Sequence, residues 1–341
     1  MAKKVASLNM NGFGNLQRDH PLNKWGMVNR LMNDKKIAVL LLQETHLTES
    51  RKQDVERMFG GKLKIFHSPD PDEPTQRNGV AIVVNTRLAE AKDAKFTVVE
   101  PGRALHLTMK WSPGEERTFL AIYAPSHDAG QRRNFFEKVR KYFERFTHLK
   151  RPDVMGGDFN MVEDMLDRLP MKVEPPPDLE ELNELKSTLK LKLTDGWRAT
   201  FPDTRSYTFT QNRPDGAHCA RLDRIYCSDK IYEKARLWDI REAGVRTDHS
   251  LVSVQLTCEE APAVGKGRER LSEWVIKDKH FAKYVKQRGR FALQEIRQLQ
   301  ELERRSDTRN PVTVLREFCT DVFTMGRERE RTTVPRAQQK I

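Results

Sequence analysis

Cysteine is scarce in this chain: four residues in 341, at Cys219, Cys227, Cys258 and Cys319. None forms a CxxC pair, and no Cys/His spacing suits zinc, so neither a zinc knuckle nor a disulfide framework organises the fold. The thiols are expected to be free and structural. Long apolar runs are also missing. The longest, Ile37–Leu42, falls far short of the about 18 residues that a membrane span needs, and reads as a buried strand. No apolar stretch of signal-peptide length follows Met1-Ala2-Lys3-Lys4, so an intracellular protein without membrane association is expected. Acidic residues are in the minority, 49 against 61 Lys+Arg, for a net charge of +12. From Val264 onward the count is 19 basic against 11 acidic. That balance favours polyanionic partners.

Short apolar runs are abundant. Strands are predicted at Val5–Leu8, Ile37–Leu42, Lys64–His67, Val80–Val84, Leu105–Trp111, Phe119–Tyr123, Val154–Met155, Tyr207–Phe209, Leu222–Tyr226 and Leu251–Leu256. Apolar spacings of three and four predict helices over Asn23–Asn33, Ser50–Met58, Gln131–Phe146 and Leu179–Leu191. Such a mixture points to an α/β or α+β sandwich rather than a helical bundle. Composition shifts near Ala261. A domain over 1–258, a linker over 259–270 and a basic, mostly helical extension over 271–341 are expected. Within the extension, Leu271–Arg304 and Pro311–Met325 read as helices, with fraying after Arg327. The extension is either a solvated helical segment or a surface that binds a protein or nucleic acid.

The informative feature is a series of polar residues where apolar runs stop. Val5–Leu8 ends in Asn9-Met10-Asn11-Gly12, and Val39–Leu42 in Gln43-Glu44-Thr45. Phe119–Ile122 ends in Tyr123-Ala124-Pro125, and Val154–Gly157 in Asp158-Phe159-Asn160. Arg221-Leu222-Asp223 and Thr247-Asp248-His249 follow. Singly, each has an ordinary reading as a solvated loop residue, turn former or helix cap. Together, strand ends along one sheet edge converge. They would gather carboxylates and amides suited to a hard, oxygen-loving cation such as Mg²⁺.

These segments resemble the endonuclease/exonuclease/phosphatase (DNase I-like) superfamily, and more closely the endonuclease domain of LINE-type (non-LTR) retrotransposons. The resemblance rests on Leu8–Gly12, Gln43-Glu44-Thr45-His46-Leu47-Thr48, Gly79–Ile82, Ile122–Pro125, Gly157-Asp158-Phe159-Asn160, Tyr207–Phe209, Asp223–Ile225 and Asp248–Ser250, and covers roughly residues 3–256. It implies a four-layered α/β sandwich, two packed mixed β-sheets flanked by helices. It implies Glu44, Asn9 and Asp248 at a Mg²⁺ site, with Mn²⁺ as a substitute and no other cofactor. By the same resemblance Asp158 activates water, Asn160 holds that water and the phosphate, and His249, oriented by Asp223, stabilises developing charge. Tyr123 hydrogen-bonds the phosphate. At the position of Asn11 some abasic-site enzymes carry Asp, so one anionic ligand is absent here.

Phosphodiester chemistry is common to this superfamily, so substrate is a separate question. Net positive charge and the retrotransposon likeness favour double-stranded DNA, and hence a nuclear location. Asn11, Thr208 and Arg213 are the candidate DNA contacts. Arg213 sits in a hairpin-like segment, Thr210–His218, and either enters the minor groove or is a solvent-exposed turn residue. The expected function is target-DNA nicking. The alternatives are an abasic-site repair endonuclease and an inactive retroelement remnant that only binds nucleic acid.

Overall fold

A computed structural model describes residues 2–257, apart from 172, 173, 175 and 215, and residues 271–332, apart from 272, 302–305 and 307. Side chains at 212, 213, 273, 274 and 330–332 also lie outside the description. The expected linker over 259–270 falls outside it as well. The chain divides into two compact units, Met1–Ala261 and Pro262–Ile341.

Strands of the first unit run β1 Lys3–Asn9, β2 Ile37–Gln43, β3 Leu63–Ser68, β4 Val80–Asn85, β5 Lys95–Glu100, β6 Ala104–Ser112 and β7 Glu115–Tyr123. They continue with β8 Val154–Asp158, β9 Arg168–Leu169, β10 Phe209–Arg213, β11 Gly216–Ala220, β12 Asp223–Cys227, β13 Ala235–Arg241 and β14 Leu251–Leu256. The main helices are α1 Lys24–Asp34, α2 Glu49–Met58, α3 Ala129–Arg145, α4 Leu179–Thr188, and the short α5 Gly196–Thr200 and α6 Asp229–Tyr232.

One sheet has six strands in the order β13-β14-β1-β2-β4-β3; a second has five, β12-β8-β7-β6-β5. Both are mixed: β1–β2 and β7–β8 pair parallel, and their neighbours antiparallel. The central strands carry buried apolar side chains on both sides, so each sheet has two buried faces. Val39, Leu41 and Ile82 meet Leu105, Leu107, Phe119 and Ala121 between the sheets. Ala6, Leu40 and Leu42 pack under Trp25, Val28 and Met32 of α1. Leu120, Ile122 and Met155 pack under Phe135, Phe136 and Val139 of α3 and Leu182 and Leu185 of α4. This is the expected four-layered α/β/β/α sandwich. Each fully buried Leu, Val, Ile or Phe contributes about 1.5–3 kcal/mol. Gly156 lets the sheets approach closely, since a Cβ there would lie 2.9 Å from Leu41 Cδ1.

The sequence reading missed β5 and β13. In β5 most residues are exposed or half-exposed, so no apolar run marks it. The segment read as a hairpin loop is largely strand: β10 and β11 pair from Phe209–Ala220 out to Arg213–Gly216, and β9 joins as a third strand. Conversely, Tyr207 precedes the strand expected to include it. Cys219, Cys227 and Cys319 are free thiols. Among the described residues no helix is long and apolar enough to cross a membrane.

The second unit contains α7 Glu273–Ile276, α8 Lys279–Glu301 and α9 Pro311–Thr332. The single helix expected from Leu271 is broken before α8, where Asp278 caps the new helix by accepting the Phe281 N–H at 2.8 Å. Of the residues expected to fray after Arg327, 328–332 are helical, because α9 continues to Thr332, and 333–341 lie outside the described residues.

Candidate active site

Cross-strand register explains why distant polar residues meet. In the five-stranded sheet Tyr123 is paired with Asp158, and Asp158 with Asp223, at the shared end of β7, β8 and β12. In the six-stranded sheet Asn9 is level with Gln43, the residue before Glu44. His249 lies two residues before β14 and bridges to Phe209 at the start of β10. The two sheets therefore bring these ends to one edge of the sandwich.

Backbone conformation turns the side chains inward. Glu44 and Asn160 adopt φ of +48° and +50°, and Asn11 +49°. Left-handed backbone is costly for Glu and tolerable for Asn; such outliers gather at functional sites. Glu44 is held there by Gly12 N–H, which donates to its carbonyl at 2.8 Å, while Thr45 N–H donates to Gly79 O at 3.1 Å. Gly157 precedes Asp158 because a Cβ would lie 1.8 Å from the Ile122 carbonyl oxygen. Thr48 caps α2 and accepts the Arg51 N–H at 3.2 Å, which ends the Glu44–Leu47 turn.

The side chains form one network. Asn9 Nδ2 donates to Glu44 Oε1 at 2.8 Å and to Asp158 Oδ2 at 3.0 Å. Tyr123 donates its hydroxyl to Glu44 Oε1 at 2.9 Å. Asp158 Oδ1 accepts the Asn160 N–H at 2.9 Å, and Asn160 Nδ2 donates to Ala124 O at 2.8 Å. His249 Nδ1 lies 2.8 Å from Asp223 Oδ2, with Nε2 3.9 Å from Asp158 Oδ2. Glu44, Tyr123, Asp158, Asn160, Asp248, His249 and Asn11 line a single cleft of about 830 Å³.

Burial, followed by the charge of Asp223, raises the Asp158 pKa and so makes its carboxylate a stronger base. Burial works against the His249 imidazolium, but the charge and hydrogen bond of Asp223, then Asp158 and Asp248, outweigh it and push the pKa up to about 10. His249 is therefore cationic at neutral pH. Burial and the nearby Glu44 and Asp158 charges keep Tyr123 a neutral hydrogen-bond donor.

The donor chemistry accommodates a hard cation. Glu44 uses Oε1 for Asn9 and Tyr123, which leaves Oε2 without a hydrogen bond among the described residues. Asp248 is exposed and accepts from Asn11 Nδ2 at 3.0 Å and from Thr247 Oγ1 at 3.4 Å through Oδ1 alone. Atoms of Asp158, Asp223 and His249 also cluster within 4.8 Å. There, however, the imidazole is bonded to Asp223 and both Asp158 oxygens are engaged, whereas Glu44 and Asp248, which line the same cleft, each bond through one carboxylate oxygen only among the described residues.

Two residues sit differently from their expected roles. Asn9 turns its nitrogen, not its oxygen, toward the carboxylates. A carboxylate only accepts hydrogen bonds, so the amide nitrogen must face Glu44 and Asp158, and Oδ1 turns back to accept the Asn11 N–H at 2.9 Å. Thr208, expected at the DNA, is buried; its hydroxyl accepts the Leu222 and Asp223 N–H groups at 2.9 and 3.0 Å. It positions Asp223. Asn11 is exposed at the cleft mouth. The Arg213 side chain lies outside the described residues.

Sequence reading also missed supporting residues. Lys24, at the start of α1, is buried and donates from Nζ to the Met10 and Asn11 carbonyls at 2.7 and 2.6 Å, pinning the loop after β1. Arg103 stacks on Tyr123, its guanidinium carbon 5.3 Å from the ring centre. Behind Asp223, Arg221 donates to Asp167 at 2.8 and 2.6 Å and to Asp195 at 2.9 Å; Arg198 also pairs with Asp167. Nothing in a lone Lys or Arg marks it as buried, and only proximity in space could have found them.

The fold and this edge define a class, and residues 6–249 match the Endonuclease/Exonuclease/phosphatase family. The chain belongs to that family. Among individual proteins, it is similar to the Transposon TX1 uncharacterized 149 kDa protein of Xenopus laevis, with 29% identity over 288 residues. That match takes in 84% of this chain but only 20% of the relative. The fold is shared with the endonuclease domain of TRAS1, a telomere-specific non-LTR retrotransposon (TM-score 0.53, 15% identity, 76% of this chain and 100% of that one). It is shared with an AP endonuclease of Leishmania major (0.59, 16%, 75% and 87%). A 3'-5' exonuclease of Neisseria meningitidis is comparable (0.57, 20%, 74% and 99%).

Proposed function

We propose that residues 1–258 form a Mg²⁺-dependent endonuclease that nicks double-stranded DNA, in the manner of LINE-type retrotransposon endonucleases, with Mn²⁺ able to substitute. The observation that carries this reading is the joining of Glu44, Asn9 and Asp158 by one amide, beside the Asp223–His249 pair, in a single cleft. Net charge and the likeness to a transposon protein support DNA over other phosphodiesters.

Glu44 and Asp248 would hold the metal, which supplies charge neutralisation at the scissile phosphate. Asp158, stripped of water and raised in basicity, takes the proton of the attacking water. Asn160 orients that water and the phosphate. The cationic His249 donates from Nε2 to a non-bridging oxygen, with Asp223 fixing the ring and its charge. The Tyr123 hydroxyl reaches the same side.

Conversion of supercoiled plasmid to open circles with Mg²⁺, and its loss in EDTA, tests the reading. No nicking by folded protein would overturn it. Incision confined to abasic-site duplexes would favour a repair endonuclease, and DNA binding without either cut would favour an inactive remnant.

A further inference from the structure

One wall of the cleft takes no part in the chemistry above. It is β9, bound to β11 through the pairs Arg168–Ala220 and Leu169–Cys219. Arg168, Leu169 and Pro170 line the same cleft as Glu44, Asp158 and His249. Arg168 also borders an adjoining cavity of about 450 Å³, together with Arg132. The two arginines differ. Arg132 Nε donates to Asp178 at 2.5 Å. Arg168, only half-exposed, has no hydrogen bond or ion pair from its guanidinium among the described residues. Burial first, and then repulsion from Arg132, disfavours its charge. A guanidinium placed at such a cost is set up to receive an anion, and its planar fork suits phosphate.

The neighbouring side chains are apolar and exposed: Leu169 is 40% accessible, Met165 49% and Met171 50%. Exposed apolar groups next to an unpaired cation, on the rim of a phosphodiester cleft, match the two faces that a duplex presents at its minor groove. Phosphates flank it, and sugar and base edges form its floor.

We propose that the β9 rim is a second duplex-contact surface, in which Arg168 binds a backbone phosphate neighbouring the cleaved one and Leu169–Pro170 packs against the minor-groove side of the same duplex. This rests on the DNA-endonuclease reading and adds the element that grips the substrate.

The test is binding of a short fluorescent duplex in EDTA, which prevents cutting, across a salt series. It compares the wild type with Arg168→Ala, Arg168→Lys and Leu169→Ser. Arg168→Ala should lower the magnitude of the log–log salt slope by about 0.9, the value for one phosphate contact. It should also weaken low-salt binding roughly tenfold, as for loss of a charged hydrogen bond. Arg168→Lys should keep the slope. Leu169→Ser should keep it too, while losing more affinity for duplex than for single strand. An unaltered slope and affinity in Arg168→Ala, with wild-type duplex binding and plasmid nicking intact, would overturn this proposal alone. Wild-type protein that neither binds duplex nor nicks plasmid would overturn it together with the functional reading.

Discussion

Asn9 and Asp158 meet across the sandwich, amide nitrogen to carboxylate oxygen at 3.0 Å, from strands that belong to different sheets and lie 149 positions apart. The same amide nitrogen reaches Glu44. One side chain thus sets the spacing between the carboxylate proposed to hold metal and the one proposed to take a proton.

Asn9→Ala should slow nicking roughly 100-fold, the scale for loss of one preorganised donor. It should cost about 1–3 kcal/mol of stability, because buried acceptors lose their partner. Plasmid-nicking rates and urea midpoints measure both. Asn9→Asp should be worse on both counts, since it adds a third carboxylate beside two. A fully active Asn9→Ala protein would remove the amide from the mechanism.

Asp223→Asn keeps the shape beside His249 and removes the charge that holds the imidazolium. Nicking should fall roughly 10²–10⁴-fold at neutral pH, the range for a displaced acid–base group. A Thr208→Val protein should show a smaller loss of the same kind, because the Thr208 hydroxyl bonds only the backbone N–H groups of Leu222 and Asp223. Equal losses in the two would contradict the division between a residue that touches the imidazole and one that positions it.

Asp167 is fully buried against Arg221 and Arg198. Asp167→Ala leaves Arg198 without a carboxylate partner and Arg221 with Asp195 alone, and should destabilise the first unit by about 3–5 kcal/mol. Chemical denaturation reads this directly. A loss under 1 kcal/mol would mean that solvent or another group replaces the carboxylate.

Acid should weaken the loop between β3 and β4. Burial opposes ionisation of Asp70, but N–H groups of Glu73 and Asp72, the Asn78 amide and Arg77 hold its pKa down to about 2. A depressed folded-state pKa means that the unfolded chain takes up the proton first. The stabilisation is complete above the ordinary carboxylate range and disappears as pH falls toward about 2. Urea midpoints should drop between about pH 5 and 2, and Asp70→Asn should flatten that dependence. The same pH slope in both proteins would contradict the assignment.

Much of the fold was legible because buried strands such as Ile37–Gln43 and Val80–Asn85 are continuous apolar runs, each ended by a polar turn. The site was legible for the same reason: Glu44, Asp158 and Asp223 stand at the ends of such runs. Edge strands were not, since the apolar residues of β5, Phe96, Val98 and Val99, are broken by Thr97 into runs too short to mark a strand. Nothing in the sequence marks Lys24, Arg221 and Asp167 as interior, and only their partners in space make them so. Thr208 was misjudged because a hydroxyl at a strand end serves a DNA backbone and a protein backbone equally well. The Asn9 amide could be assigned a place but not an orientation, which its two carboxylate neighbours decide.

The central claim is that Glu44 and Asp158 act as one unit. Single-turnover nicking rates for Glu44→Gln, Asp158→Asn and the double variant, each checked for folding, test it most directly. Both single variants should lose nearly all activity, and the double should be hardly slower than either. A single variant that keeps a rate near that of the wild type, or losses that multiply in the double, would contradict it.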